Sequence, residues 1–316
     1  MRYRKIALTA AAAGLMAVGF AAPSQAALTT YCDGTAADVT VPGDLIVAAG
    51  KSCELTNVII NGNVTVRADA NLLLDGSTVN GNVRLVTNAF ADVVGTSVSG
   101  VTTQTGGYGI YAEDSTLSGN VAATDSGFFY SVGTSHARLT STNGETFVES
   151  GWVRTNLTTT GDTLTDVYDT VVQGALSVTG AEQGGVLCLS EVDGAATFSG
   201  NGEIIQIGAS APLTGCGYNA FHSNLTVSDN SADVHVSDNV IRGNFVLSGN
   251  TGAVVAENNR VRGEDGSAAA AAAKSSLRSD APSTAAVDRK AQAKADAEAR
   301  AEAASDKAEA AGPAFS

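Results

Sequence analysis

Residues 58–66 read VIINGNVTV, and residues 77–85, 19 positions further on, read STVNGNVRL. The same interval separates five glycines, which are Gly43, Gly62, Gly81, Gly100 and Gly119. Apolar residues recur two positions before each of these glycines and two positions after nearly every one. A repeat of about twenty residues with fixed apolar columns is typical of a solenoid, in which each repeat forms one coil.

The pattern inside one repeat indicates strands. After the glycine, apolar and polar residues alternate, as in Val64, Thr65 and Val66, and this period of two predicts a half-buried strand. A third apolar column lies ten positions after the glycines, at Cys53, Leu72, Ala91, Ile110 and Phe129. We therefore predict an all-β fold, a parallel β-helix (β-solenoid) of about twelve coils with 19–20 residues each.

The hand of the coil follows from a general rule about crossovers. Parallel crossover connections are right-handed in the large majority of cases, so we expect a right-handed helix. A left-handed coil is the alternative, because steps of six, six and seven residues relate Ile60, Val66, Leu72 and Val79.

Turn and ladder residues complete the repeat. We attribute the five glycines to corners of the coil, where a positive φ costs glycine little. A second corner falls 14 residues later, at Gly76, Gly95, Asp114 and Gly133. Asparagines flank the first corner in register, and we expect their amides to hydrogen-bond along the axis as structural ladders: Asn61 with Asn80, and Asn63 with Asn82 and Asn120.

The register changes twice along the chain. It blurs between residues 133 and 170 and then returns, because residues 172–176 match residues 192–196 at a spacing of 20. The next equivalent segment, residues 224–227, follows some 30 residues later. We therefore predict an insertion of about ten residues near 208–221.

The two ends differ in composition from the repeats. Residues 1–26 have a basic start, an apolar run and a small-residue end, which is typical of a signal peptide; we expect no membrane span after its cleavage. Residues 27–266 form the predicted β-helix. Residues 267–316 are rich in Ala, Lys, Asp and Glu, and we expect a helical or disordered tail outside the fold.

The four cysteines support an exported protein. Their spacing favours the disulfides Cys32–Cys53 and Cys188–Cys216, the first tying down the first coil and the second closing the insertion. Such bonds contribute about 2–4 kcal/mol each. No CxxC motif or Cys/His cluster indicates a metal site.

Charge restricts the class of partner. The net charge is −14, and the excess acids fall between residues 27 and 266. Such a surface repels nucleic acid and anionic lipid and favours cations or basic partners, although acidity also serves solubility alone. The sequence therefore predicts no nucleic-acid partner.

Catalytic motifs are scarce. GxSxG, HExxH and the P-loop are absent from the sequence, and we predict no cofactor and no metal. The nearest candidate for a catalytic or Ca²⁺ cluster is Asp162, Asp166 and Asp169, but the sequence favours an acidic loop as its explanation. His136 falls in an inward column and is interpreted as a core histidine, and His222 flanks the insertion.

Aromatic residues give the best candidate binding site. Tyr111 and Tyr130 are 19 residues apart, in a column that elsewhere holds acids, so we expect them to be exposed. With Tyr108 and Phe128 nearby they would form a platform for a sugar ring or a partner protein. The alternative is an aromatic ladder that only stabilises adjacent coils.

The Gly-Asn-Val element, with an apolar residue two positions before it, resembles the coils of bactofilins over residues 41–130 and 224–263. This resemblance implies a polymer-forming bacterial β-helix protein, although bactofilins are cytosolic and carry no export signal. The signal peptide and the Ala/Gly/Thr-rich composition look like those of a secreted actinobacterial protein.

Three functions remain open at this point. The first is a secreted or cell-wall-associated solenoid with a structural, adhesive or ligand-binding role, whose partner is a cell-wall or extracellular glycan or protein. The second is a polysaccharide lyase or glycoside hydrolase of the parallel β-helix type. The third is a rod that polymerises end to end. The sequence favours the first, a non-enzymatic protein, and leaves its oligomeric state open.

Overall fold

The structure is a computed structural model that describes residues 28–208, 213, 215–267 and 285–315, with the backbone alone for residues 285–287. The predicted signal peptide lies outside the described residues. The chain from residue 28 to residue 267 winds through three parallel sheets of twelve strands each. Each coil contributes one strand to each sheet, so the predicted β-solenoid of about twelve coils is confirmed.

The three sheets are named in the order in which a coil visits them. Sheet 1 consists of Thr29–Cys32, Asp44–Val47, Val64–Val66, Val83–Leu85, Thr102–Thr105, Val121–Thr124, Leu139–Thr142, Leu157–Thr160, Leu176–Thr179, Ala196–Ser199, Leu225–Ser228 and Phe245–Ser248. Sheet 2 consists of Gly34–Ala37, Ser52–Thr56, Asn71–Asp75, Phe90–Val94, Gly109–Glu113, Phe128–Val132, Glu145–Glu149, Leu164–Tyr168, Gly184–Cys188, Ile204–Ile207, Asp233–Ser237 and Val254–Glu257. Sheet 3 consists of Thr40–Val41, Ile59–Ile60, Thr78–Val79, Ser97–Val98, Thr116–Leu117, Ser135–His136, Trp152–Val153, Val171–Val172, Glu191–Val192, Ala220–Phe221, Val240–Ile241 and Arg260–Val261.

The axial alignment of the apolar columns is confirmed residue by residue. In sheet 2, consecutive strands pair the column members in order, which are Cys53, Leu72, Ala91, Ile110 and Phe129. All five side chains are buried in one continuous core that runs through the solenoid. This core is made chiefly of valine, leucine, isoleucine and alanine, and its burial supplies the main driving force for folding.

Asparagine ladders run along the coils as predicted for Asn61, Asn63, Asn80 and Asn82. The ladder does not extend to Asn120, because the next coil places Val101 over Asn82, and the Val101 N–H donates to Asn82 Oδ1. The Asn80 side-chain amide donates to Asn61 Oδ1 at 3.1 Å, and the Asn82 amide donates to Asn63 Oδ1 at 3.0 Å. The ladder satisfies side chains and backbone together, because the Asn82 backbone N–H also donates to Asn63 Oδ1. These amides are structural.

The corner glycines are required for a different reason from the one expected. The second corner does adopt a positive φ, at 57° for Gly76 and 47° for Asp114. The first-corner glycines do not, so that part of the prediction is wrong. Coils approach each other closely there instead: a Cβ on Gly81 would lie 2.4 Å from the carbonyl oxygen of Gly62. A side chain added at Gly81 would therefore force these two stacked coils apart.

The irregular parts of the sequence keep the same coil. Between residues 133 and 170 the strands stay paired, with Tyr130 opposite Phe147 and Phe147 opposite Asp166. The predicted insertion is confirmed between Ile204–Ile207 of sheet 2 and Ala220–Phe221 of sheet 3, and across it Val192 pairs with Phe221. Extra residues therefore loop out without breaking the ladder.

Both predicted disulfides are present. Cys32–Cys53 joins the first coil to the second inside the core, and Cys188–Cys216 closes the insertion against sheet 2. No helix among the described residues is long and apolar enough to cross a membrane.

The predicted location of the C-terminal segment is wrong. Residues 285–311 form a helix, here called the C-terminal helix (Ala285–Ala311), and it packs along the outer face of sheet 2. Past its end, the Thr35 N–H donates to the Gly312 carbonyl oxygen and the Ala314 N–H donates to the Thr35 carbonyl oxygen, both at 2.9 Å. These bonds cover the free edge that the first strand of sheet 2 would otherwise expose.

Replacing Ile60 by alanine should lower the free energy of unfolding by about 2–5 kcal/mol, because it leaves a cavity in the core. Ile59 is a matched control in the same two-residue strand, since its side chain points outward and is 45% exposed. Ile59→Ala should cost less than about 1 kcal/mol. Urea unfolding followed by circular dichroism measures both, and equal losses would contradict the assigned faces.

Candidate functional site

The outer face of sheet 2 carries an aromatic cluster. Tyr111 and Tyr130 stack with ring centroids 5.5 Å apart, and Tyr130 continues to Phe147 at 5.2 Å. Tyr108 and Phe128 meet edge to face at 5.7 Å. The strand register produces this arrangement, because Tyr111 pairs directly with Tyr130 in neighbouring coils. The four residues of the predicted platform are therefore brought together.

The predicted exposure of the platform is wrong. Tyr111 is 7% exposed and Tyr130 is 2% exposed, and Phe128 is also buried. The column does point away from the solenoid core, as expected, but the C-terminal helix covers it. The tyrosine ladder is thus part of a packed interface, and an external sugar ring does not reach it in this structure.

The C-terminal helix docks through alanines. Its buried positions are Ala293, Ala297, Ala304 and Ala308, and Ala301 is partly buried in the same row. The spacing of four, four, three and four residues places all five on one helical face. This spacing is present in the sequence and is the signal for the docking face. It is a weak signal, because alanine is too weakly apolar to mark an amphipathic stripe.

Basic side chains of the helix anchor it at both ends of the aromatic cluster. The Arg300 guanidinium lies over the Tyr108 ring at 4.2 Å, and its Nε donates to Asn71 Oδ1 at 2.9 Å. Arg289 forms an ion pair with Glu145. Further along, Ser305 donates to Glu54. The acidic face of sheet 2 therefore meets a complementary basic face of the helix.

Lys290 forms the central ion pair of a second group of residues. Its Nζ lies 2.5 Å from Glu149 Oε1, 3.6 Å from Asp166 Oδ2 and 5.2 Å from the centroid of the Tyr168 ring. Strand register builds this group, because Tyr168 pairs with both Glu149 and Cys188. An ammonium between two carboxylates and an aromatic face is a strong cation-binding arrangement.

A cavity of about 370 Å³ opens beside Lys290, between sheet 2, the C-terminal helix and the insertion. We call it the cavity site. Its lining includes Tyr130, Glu149, Asp166, Tyr168, Val186, Leu213, the Cys188–Cys216 disulfide and Lys290. The volume lies in the range of small-molecule pockets, and apolar walls with a few convergent charges are typical of such sites. Sequence reasoning missed it because the helix that builds one of its walls begins about 120 residues after Asp166 and carries no repeat.

The three aspartates of the candidate acidic cluster lie in different environments and do not come together as one cluster. Asp162 is fully buried and accepts hydrogen bonds from Ser141, Gly144 and Thr146 at 2.8–3.0 Å. Asp169 lies at an exposed corner and accepts a hydrogen bond from the Ser150 hydroxyl. Only Asp166 reaches the cavity site.

Burial controls the ionisation of the covered acids. It raises the pKa of Asp166, and the Glu149 carboxylate adds to this while Lys290 opposes it. Burial likewise raises the pKa of Glu145 against the opposing effect of Arg289. Burial also raises the pKa of Tyr130. Burial under the helix therefore destabilises the charged form of these acids, and nearby cations of the helix stabilise it.

The core histidine is confirmed, and a second histidine forms an exposed ion-pair group. His136 is fully buried, and burial lowers its pKa to about 3. His222 places Nε2 at 3.1 Å from Glu191 and Nδ1 at 2.9 Å from Asp193. These three residues are the one group of three or more His, Cys, Asp or Glu side chains in the described chain that could hold a metal ion. Both ring nitrogens lie within hydrogen-bond distance of a carboxylate.

Comparison of the chain with protein-family models, with curated proteins and with solved structures found no match. The likeness to bactofilin coils therefore rests on period and composition alone. The fold and the two disulfides fit an extracellular β-helix protein.

Replacing Ala297 by glutamate should release the C-terminal helix, because it forces a carboxylate into an interface that already contains acids. Ala299→Glu is the matched control, since Ala299 is exposed on the same helix. Amide hydrogen exchange should rise at least about tenfold across the helix in the first variant alone, while the solenoid stays protected. Identical exchange in both variants would contradict the docking face.

The ionisation of Asp92 should make stability depend on pH. Burial, and then the nearby Glu113 carboxylate, raises its pKa from the ordinary 3.8 to about 6, and among the described residues its Oδ1 has no hydrogen-bond partner. Between these pH values the folded chain holds a proton that the unfolded chain has lost, so stability falls as pH rises through this window.

Asp92→Asn should remove this loss. We expect the variant to be about 1–3 kcal/mol more stable than the wild type at pH 7, with no advantage below about pH 4. Urea unfolding at a series of pH values measures the difference, and the exposed Glu182→Gln controls for the loss of one negative charge. A stability gain that is constant across pH would contradict the assignment to Asp92.

Proposed function

We propose that this protein is an extracellular, non-catalytic β-solenoid that binds a glycan or protein ligand of the cell envelope through the cavity site. The observation that carries this proposal is the cavity of about 370 Å³. Aromatic rings and carboxylates of sheet 2 line it together with residues of the C-terminal helix. A second cavity of about 350 Å³ lies further along the same face, and its lining includes Tyr108, Phe128, Glu145 and Arg289. The solenoid supports the proposal as a rigid scaffold for a site built from neighbouring coils.

The chemistry of the walls favours a ligand with an apolar or ring-shaped body and polar substituents. Tyr168 offers aromatic surface, and Val186 and Leu213 offer aliphatic surface. Glu149 and Asp166 offer hydrogen-bond acceptors on the same side. A sugar or a peptide side chain of a cell-envelope polymer matches this combination.

One observation favours the second candidate, a polysaccharide hydrolase or lyase. Glu149 and Asp166 come from neighbouring coils and line one cavity, and paired carboxylates of this kind perform acid–base chemistry on glycosidic bonds. Burial raises the pKa of Asp166, as a general acid requires. Lys290 lies against both carboxylates, however, and would have to move before a substrate reached them.

The third candidate, a rod that polymerises end to end, is disfavoured by the C-terminus. Gly312 and Ala314 occupy the hydrogen-bonding edge of the first sheet 2 strand, where a second molecule would add. Negative-stain electron microscopy of the purified full chain distinguishes single particles from filaments.

Binding of the full-length protein to arrays of cell-envelope glycans and proteins tests the proposal. We expect a ligand whose binding falls at least about tenfold in Tyr168→Ala and in Ala291→Trp, which removes one cavity wall and fills the opening respectively. Tyr31→Ala is the matched control, because Tyr31 is exposed on the first coil, far from the cavity.

Two outcomes would overturn the proposal. One is a ligand that binds all variants equally, which would place the site elsewhere. The other is cleavage of acidic or neutral polysaccharides by the wild type together with loss of that activity in Asp166→Ala, which would establish the hydrolase or lyase instead.

A further inference from the structure

The only tryptophan of the chain lies on the outer face of sheet 3. Trp152 is 50% exposed, and its neighbours in the same outward column, Ser135 and Val171, carry no charge. Among the described residues its ring has no aromatic partner and no cation over it. This ring is therefore accessible to a ligand, unlike the tyrosines that the C-terminal helix covers on sheet 2.

Two arginines lie at the corner that follows this strand. Arg154 comes two residues after Trp152, about 7 Å further along the chain. Arg138 lies at the same corner of the preceding coil, where the Thr155 N–H donates to the Ala137 carbonyl oxygen at 2.8 Å. Both arginines are exposed, and neither forms an ion pair with a described residue. Two guanidinium groups near the tryptophan thus lack a counter-charge from the described chain.

These positive charges contrast with the rest of the solenoid. Acids far outnumber basic residues between residues 27 and 266. The charge of Arg154 acts on the core as well, because after burial it is the second cause that lowers the pKa of His136 to about 3. An anionic ligand is repelled by most of this surface and attracted to this corner, so charge complementarity selects the position at which it binds.

The surroundings of Trp152 favour a single sugar ring over a protein surface. Towards the N-terminus, the outward column of sheet 3 consists of hydroxyl side chains, which are Thr78, Ser97, Thr116 and Ser135. A stable protein interface needs about 800 Å² on each partner and an anchor surrounded by residues that exclude water. One exposed indole beside a row of hydroxyls matches instead the apolar face and the polar edge of one pyranose ring.

We propose that this corner, here called the tryptophan site (Trp152, Arg138 and Arg154), binds an acidic glycan. A uronic acid ring stacks on Trp152, and its carboxylate accepts hydrogen bonds from the Arg154 guanidinium. The guanidinium suits this role because its planar fork donates two parallel hydrogen bonds to one carboxylate. Arg138 adds a second positive charge from the preceding coil. The tryptophan site lies on sheet 3, apart from the cavity site, and adds a second binding surface to the proposed function.

Fluorescence titration of the full-length protein at pH 7 and low salt tests the inference, because Trp152 is the only tryptophan. The probes are tetraglucuronate and cellotetraose, which share one linkage. They differ only in whether the exocyclic carbon of each ring is a carboxylate or a hydroxymethyl group. We expect a saturable change of tryptophan emission with tetraglucuronate, and an affinity at least about tenfold higher than that for cellotetraose. Added salt should weaken the binding of tetraglucuronate.

Variants separate the contributions of charge and ring. Arg154→Gln should weaken the binding of tetraglucuronate about tenfold, because it removes a charged hydrogen-bond donor and keeps the indole. Trp152→Ala should weaken the binding of both oligosaccharides, measured by calorimetry because the fluorophore is lost. Arg84→Gln is the matched control, since Arg84 is exposed on sheet 1, and it should bind like the wild type. Tyr168→Ala, which alters the cavity site, should also bind like the wild type.

Three results would overturn the inference. They are the absence of a saturable emission change with tetraglucuronate up to about 10 mM, equal affinity for the two oligosaccharides, and unchanged binding in Arg154→Gln. Hexaglutamate is the peptide probe, and binding as tight as that of tetraglucuronate would show that the surface recognises acidic peptides instead. Each of these results leaves the cavity site intact, because its test depends on Tyr168 and not on Trp152.

Discussion

The structure depends on stacking each coil directly on the next, with its backbone hydrogen bonds parallel to the axis. Strands pair in register from the first coil to the twelfth, so a residue at one position of a coil lies above its equivalent in the coil below. This one constraint explains the continuous aliphatic core, the asparagine ladders and the side-chain-free glycine corners. It also explains why extra residues are tolerated only as a loop, since the coils on either side of the insertion must still meet.

Stacking also determines where chemistry can arise. Any cluster on the outside must be built from neighbouring coils, because one short strand presents only two or three outward side chains. The tyrosine ladder and the Glu149–Asp166–Tyr168 group both follow this rule. Sheet 2 differs from the other sheets because the C-terminal helix packs across it. The helix converts part of an open aromatic face into an interface, and a cavity remains between the helix, sheet 2 and the insertion.

The electrostatic match between helix and sheet accounts for the unusual composition of the C-terminal segment. Its alanines permit a close approach, and its Arg and Lys side chains neutralise acids that sheet 2 would otherwise bury unpaired. Asp92 and Asp166 are the places where this neutralisation is incomplete, since among the described residues each has a carboxylate oxygen without a hydrogen-bond partner. Asp166 lies in the wall of the cavity site, whereas Asp92 is not among the residues that line it.

The sequence alone determined the coil. Its period, its apolar columns, the insertion and both disulfides were predictable, because each depends on neighbours at a fixed separation along the chain. It did not determine the site: Tyr111 and Tyr130 were expected to be exposed, and the cavity site was not foreseen at all. Only the tertiary structure decided these points, because burial on the outer face of sheet 2 depends on the C-terminal helix. This helix begins about 120 residues after Asp166 and carries no repeat. No periodic signal in the sequence therefore connects the helix to the face that it covers.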